Sequence, residues 1–407
     1  MEPVPLSGRP ALINAVNSNS SGTYALSRDS DAAQDGSYPH SPVATAFNGI
    51  FEGLGNAIAN LSIFNSSGNS EQFALFAQVG STGQLNDAVV SNISMQAKTA
   101  YLAPLAGINN GTITHSSATG SLSGLGLNTW SMAGLVIENH GTITRSHASV
   151  TMDGLTESAG GLATSNYGTI TLSDASGAVK AVALAGGLVG YSQGAIAQSS
   201  ATGDVSVSLD SGASAGGLVG QLQTSGTISE SFATGNVSGG VSGAKGKQRY
   251  KHRGLELGGL AGYSGGAVQY SYATGSVTAN ASPDAKHAQV GGLAGSTSSN
   301  PQTSHIMQAY SLGHVSLNDK KYIGGSIGED FAPQGNQQLV FWDLDTSGIT
   351  NPNQGAGNLF DDQGLTGVAD PTIRPELTRQ FAINIWAEDP NINNGYPYLI
   401  NNPPGQQ

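Results

Sequence analysis

Cysteine is absent from the 407 residues, so no disulfide framework holds the chain together. A small secreted domain would normally rely on one, but a long stacked core does without. Charge is scarce as well, at 10% of residues, while 38% are hydrophobic, a balance that excludes an intrinsically disordered chain. No run approaches ~18 consecutive apolar residues, so no membrane span is expected. Basic residues number 15 against 27 acidic ones, and the net charge of −12 argues against nucleic acid as a partner. The opening MEPVPLSGRPALINAV has neither the charged nor the apolar region of a signal peptide. The expectation is therefore a fragment of a longer exported chain, or one not exported alone.

What the chain has instead is glycine, 58 residues of it, about twice the usual share. These glycines sit in a recurring phrase: LAGINNGTITHSSATGSL from Leu105, AGLVIENHGTITRSHAS from Ala133 and GGLATSNYGTITLSDASGAV from Gly160. It returns as GGLVGYSQGAIAQSSATGDV from Gly186, GGLVGQLQTSGTISESFATGNV from Gly216 and GGLAGYSGGAVQYSYATGSV from Gly258, with looser copies at Gly291 and Gly324. The anchoring leucines, Leu105, Leu135, Leu162, Leu188, Leu218, Leu260 and Leu293, are separated by 30, 27, 26, 30, 42 and 33 residues. Such a period matches one turn of a solenoid whose length variation falls in loops.

Within the phrase Ser199, Ala201, Gly203 and Val205 alternate with Ser200, Thr202 and Asp204, which is strand periodicity. Ile196 is out of phase with Ser199, so a bend belongs at Ala197–Gln198. The pairs Asn110–Gly111, His140–Gly141 and Tyr167–Gly168 mark corners. Three short strands per coil then predict a right-handed parallel β-helix, an all-β solenoid of roughly ten coils rising about 4.8 Å each. An inward column should hold Ile113, Ile143, Ile170, Ile196, Ile228 and Val268. Beside it should run Ser116, Ser146, Ser173, Ser199, Ser231 and Ser271, whose hydroxyls bond to backbone or to the next serine.

The intact GGLVG or GGLAG cores and the G-x-[IV]-x-x-S-x-A-T-G-x-V tails resemble the GLUG-motif repeat proteins. FNGIFEGLGNAIANLSIFN from Phe47 is similar to that family's lead-in coil, and FWDLDTSG from Phe341 and NGYPYLI from Asn394 are similar to its closing segment. The resemblance implies a β-helical shaft of a large secreted bacterial protein. Filamentous-haemagglutinin-like adhesins of two-partner secretion, and the non-catalytic part of immunoglobulin A peptidases, are the types it suggests. The secretion-signal domain that begins such adhesins is not seen in this sequence.

Motifs for catalysis are few. Neither H-E-x-x-H nor G-x-x-x-x-G-K-[ST] occurs, no nucleophile elbow is expected, and no cofactor is expected. The outward row Ser117, His147, Asp174, Ser200, Phe232, Tyr272 and Tyr310 offers one His and one Asp, read as surface decoration rather than a catalytic pair. Asp343 and Asp345, or Asp361 and Asp362, are more simply solvated turn residues than cation ligands. The T-I-T triplets at Thr112–Thr114, Thr142–Thr144 and Thr169–Thr171 form an array only three coils deep, too small for an ice-binding face. Two features rise above this background as candidate ligand-binding residues. Phe232, Tyr272 and Tyr310, with Tyr270 nearby, form an outward aromatic ladder that either stacks on sugar rings or a partner, or lies under a flanking loop. Lys245, Lys247, Arg249, Lys251 and Arg253 hold a third of the basic residues in one insertion, suited to an anionic glycan or an acidic partner.

The organisation expected is leading coils over 1–100, repeat coils over 101–339 with the basic insertion at about 243–255, and a C-terminal cap over 340–407. Phe47, Phe51, Leu54, Ile58, Leu61 and Ile63 should supply the leading core; Trp342, Trp386 and Tyr398 should anchor a cap over the open end. The function expected is a non-enzymatic bacterial adhesin, secreted or on the cell surface, presenting a face to a surface glycan or host receptor. An outer-membrane transporter is its partner if it is two-partner secreted. The alternative is a β-helical polysaccharide-processing enzyme or the non-catalytic scaffold of a secreted peptidase.

Overall fold

The computed structural model describes residues 9–67, 71–98, 100–208, 212–240, 254–280, 287–318 and 322–405, with backbone alone at 9–12, 126–129 and 155. The chain forms two compact units, Met1–Ala181 and Val182–Gln407. Each is a parallel β-solenoid, and together they make about ten turns.

The first unit opens with helix α1 (Arg9–Ser18), tied down by the Tyr24 hydroxyl, which donates to Ala15 O at 2.9 Å and Asn19 O at 2.6 Å. Phe47, Phe51, Ile58, Leu61 and Ile63 are buried as expected. Leu54 is not: it is 60% exposed, because it occupies a left-handed turn at φ 54° between Gly53 and Gly55. The T-I-T triplets stack in register, Thr112 on Thr142 on Thr169, with Ile113, Ile143 and Ile170 buried between the threonines. Asn109, Asn139 and Asn166, each two residues before a corner glycine, point inward as a ladder in which each Nδ2 donates to the next Oδ1 at 2.8 Å. Buried amides are tolerable when each is satisfied by an identical neighbour.

The second unit repeats a coil of more pieces than the three expected. One coil runs through Leu184–Gly186, Val189–Ser192, Ala195–Ala197, Ser200–Ala201 and Val205–Val207. Two sharp breaks account for the extra pieces. One is the expected bend before each column serine, where His115, Arg145, Leu172, Gln198, Glu230 and Tyr270, and Gln308 before Ala309, adopt φ between 45° and 50°. A non-glycine residue rarely sits there, so the bend must be supported. The serine column supports it. Ser231 Oγ donates to Ser229 O at 2.8 Å and accepts from Ser199 N at 3.2 Å, and Ser146 and Ser173 repeat the arrangement in the first unit. The hydroxyl of one coil thus satisfies the N–H that the bend turns out of the ladder above.

The other break is the glycine corner. Gly186, Gly216, Gly258, Gly291 and Gly324 stack in register along the second unit. A Cβ on Gly216 would sit 2.0 Å from Val219 O, and one on Gly262 2.4 Å from Ser214 Oγ. The two strands that flank each Gly-Leu turn therefore meet backbone to backbone, which only glycine permits.

Candidate functional site

Three outward features of the second unit and one of the first carry polar or aromatic chemistry. The aromatic ladder is the largest. Phe232, Tyr272, Tyr310 and also Phe341 are in register on successive coils, with ring centroids 4.9 Å apart for Phe232–Tyr272 and 5.0 Å for Tyr272–Tyr310, within 6° of parallel. Ala233 faces the interior, since its Cβ lies 2.9 Å from where Gly217 would carry one, so strand alternation turns Phe232 outward. The rings are nonetheless buried. Residues 369–402, part of the segment over 340–407 expected to cap the open end, lie along this flank as a strap. Helix α2 (Ile373–Gln380) packs Ile373 and Leu377, one turn apart, on the rings, followed by Phe381, Trp386, Tyr396 and Leu399. Tyr270 is half-buried at the edge of the same cluster.

Polar contacts seat the strap. The Tyr310 hydroxyl donates to Pro397 O at 2.5 Å and accepts from Asn393 Nδ2 at 2.7 Å. Ala382 N donates to Gln308 Oε1 at 2.9 Å, and Asn402 Nδ2 donates to Ser199 O at 3.2 Å and Glu230 O at 3.0 Å. Burial raises the pKa of Tyr272 and of Tyr310 far above that of a free phenol. The Tyr272 hydroxyl and the Trp386 indole N–H are buried with no hydrogen-bond partner among the described residues. Of the two alternatives for the ladder, covered rather than exposed is the one observed, and the covering segment is the C-terminus.

The second feature is the outer side of the glycine corner. Because the two strands approach so closely there, their outward side chains face one another across a concave groove. One wall carries Ser214, Glu256 and Gln289 in register; the other carries Gln221, Tyr263, Ser296 and Glu329. Ser296 Oγ donates to Glu256 Oε1 at 3.0 Å and Gln289 Nε2 donates to Glu329, which zips part of the groove. The stretch lined by Gln221, Gln223, Gly254, Glu256 and Tyr263 is open, with a volume of about 280 Å³. None of these residues stood out in the sequence, although the position after each GGLVG or GGLAG varies from copy to copy (Tyr191, Gln221, Tyr263, Ser296), which is the signal that could have found them.

The third is a buried carboxyl pair. Asp330 accepts from Ala332 N at 2.8 Å, from Thr297 Oγ1 and from Gln337 Nε2 at 3.2 Å. Asp362 lies against it, buried, with Oδ2 unpartnered among the described residues. Burial first, then the Asp330 charge, raises the Asp362 pKa to about 7. Asp343 is buried too, accepting from Asp345 N at 2.8 Å and from the Tyr396 hydroxyl at 3.2 Å. Asp343 and Asp362 are therefore buried rather than the solvated turn residues expected, whereas their neighbours Asp345 and Asp361 are exposed as expected.

In the first unit, Ser117, His147 and Asp174 are in register on successive coils, and His147 Nδ1 contacts Asp174 Oδ2. That hydrogen bond raises the His147 pKa against the opposing pull of burial. The two residues read as independent decoration thus form a pair; no hydrogen bond joins His147 to Ser117 among the described residues. The G-x-S-x-G spacing, which was not expected, does occur at Gly190–Gly194, Gly212–Gly216, Gly262–Gly266 and Gly324–Gly328. All four serines are buried, so none is an exposed nucleophile. Lys245, Lys247, Arg249, Lys251 and Arg253 lie outside the described residues. Among the described residues no group of three or more His, Asp or Glu side chains is placed to hold a metal ion, and no helix is long and apolar enough to cross a membrane.

Comparison with known proteins finds the GLUG motif at residues 182–206 and 211–238, the coils that begin the second unit. No curated protein sequence matches. Among solved structures, an IgA1 protease chain is similar at 19% identity and TM-score 0.48, over 77% of this chain and 23% of that one. The protein thus spans about a quarter of that chain's length. A Bacteroides ovatus protein named after the immunoglobulin A1 proteases is similar at 15% identity and TM-score 0.39, over 96% of this chain and 90% of that one.

Proposed function

We propose that this GLUG-repeat solenoid is a non-enzymatic, ligand-presenting shaft of a bacterial adhesin, secreted or displayed at the cell surface, whose ligand is a glycan or a host surface. The observation that carries this reading is the contrast between columns. Inward positions repeat almost unchanged, Ile196 on Ile228 on Val268 and Val205 on Val237 on Val277, whereas the outward row at the glycine corner changes chemistry at every coil, through Tyr191, Gln221, Tyr263 and Ser296. A scaffold that keeps its core uniform and varies its surface is built to display side chains. If two-partner secretion exports the protein, an outer-membrane transporter is its partner.

A glycan array probed with the whole chain tests the reading. Retention on a defined set of glycans supports it; retention on none overturns it. Release of shortened products from a retained glycan would instead support the polysaccharide-processing alternative. The immunoglobulin A1 protease names of the structural neighbours are compatible with a second reading, the non-catalytic scaffold of a secreted peptidase. Under that reading the chain alone cleaves no immunoglobulin and retains no glycan.

A further inference from the structure

We propose that the open stretch of the glycine-corner groove, at Gln221, Gln223, Glu256 and Tyr263, is a subsite for a single pyranose ring of a neutral glycan. The inference rests on the glycan-presenting reading and gives it a location, now that the aromatic ladder is closed by the strap.

Size is the first argument. A volume of about 280 Å³ falls at the small end of ligand pockets, the scale of one sugar ring rather than a peptide or a chain of rings. Chemistry is the second. Two amides, each donor and acceptor, a carboxylate that only accepts and a phenol ring offer what a ring of hydroxyls needs on one edge and an apolar face on the other. The Tyr263 ring lies over Gly265, whose missing Cβ makes the room: a Cβ there would be 2.9 Å from the ring edge.

The wall that carries Glu256 supplies an independent observation. Gln289 is 7% exposed, and its Nε2 is taken by Glu329, yet its Oε1 is buried without a hydrogen-bond partner among the described residues. That oxygen stands beside Gly254, 2.9 Å from where a Cβ would project, so it ends at the groove lining. An unmet acceptor beside the lining of a polar groove is matched by a hydroxyl donor, not by an anion. The Glu256 carboxylate at the lining acts in the same direction, against an anionic sugar. The contacts that zip the groove, Ser296 to Glu256 and Gln289 to Glu329, bound the opening on the side of the later coils.

Saturation-transfer NMR on the whole chain with methyl glycosides of glucose, galactose and N-acetylglucosamine tests the assignment, with methyl glucuronide as the acidic probe. The result expected is transfer to at least one neutral glycoside and none to the glucuronide. Affinity should fall at least tenfold in Tyr263→Ala and in Gln221→Ala, while Tyr263→Phe retains most of it. The half-exposed Gln221 guards against loss through misfolding, and an unchanged urea midpoint in each variant is the control. Glycoside binding unaffected by either alanine variant would overturn the subsite while leaving the glycan reading in place. Equal binding of the glucuronide, or no transfer to any glycoside, would overturn the subsite, and a blank glycan array beside it would remove the reading as well.

Discussion

Tyr272 and Tyr263 lie nine positions apart on neighbouring faces of one coil, and both project outward. Tyr272 is completely buried, stacked between Phe232 and Tyr310 and roofed by Trp386; Tyr263 lines an open groove. Strand alternation decides only which way a side chain leaves the wall. Whether it meets water is decided by chain far away, here the strap that begins after Val368. The closed flank is apolar, stacked and costly to open. The open corner is polar and shallow, and glycine backbone shapes it.

The largest effect should come from unroofing the flank. Trp386→Ala removes a ring packed on Tyr272, Tyr310 and Phe381, and should cost about 3–5 kcal/mol with a rise in binding of an apolar dye, both read in urea titrations. An unchanged midpoint would mean that the strap does not hold the flank. Closing the corner is the converse test. Gly262→Ala places a Cβ 2.4 Å from Ser214 Oγ and 2.7 Å from Ala215 N, and overpacking of that kind should cost about 1–3 kcal/mol. Within the flank, two identical changes should differ. Tyr310→Phe loses the bonds to Pro397 and Asn393 and should cost about 1 kcal/mol, whereas Tyr272→Phe removes a hydroxyl without a partner and should be neutral or stabilising. Equal costs would show that the two hydroxyls are equally satisfied in solution.

The remaining expectation is a dependence on pH. With the Asp362 carboxyl raised from 3.8 to about 7, the folded state holds a proton that the unfolded chain has released between those values. Stability from this group is therefore complete below about pH 4 and is lost as pH rises through about 7. Because residue 362 feeds the last strand before the strap, Leu365–Val368, ionisation should loosen the flank more than the corner. Urea midpoints at pH 5 and pH 8 measure it, and Asp362→Asn should flatten the difference.

Legibility in the sequence followed repetition. The isoleucine and serine columns, the bend at Gln198 and the parallel stacking could be read because the same residue returns every coil. The glycine corner could be located but not interpreted, since that these glycines face each other across a turn is a property of two strands rather than of one. Leu54 misled because an apolar residue in a lead-in coil reads as core unless its left-handed turn is known. Most opaque was the strap: residues 369–402 repeat nothing, so no period announces that Phe381 and Trp386 return over Tyr310, or that Phe341 extends the ladder. The inward face of Ser192 and Ser264, against their catalytic-looking spacing, was readable only once the strand phase was fixed by the corner.

The strap also has a metric consequence. It meets Phe341 near its start and Ser199 at its end, coils that stand four rungs, about 19 Å, apart. Its length is fixed, so Asn402 finds the Ser199 carbonyl only when the number of rungs between is right. Repeat tracts gain and lose copies readily, and a solenoid that gained or lost a coil would still stack. Here such a change would leave the strap a rung too short or too long. The C-terminus thus works as a caliper on the repeat array, closing only on a correctly counted set of coils.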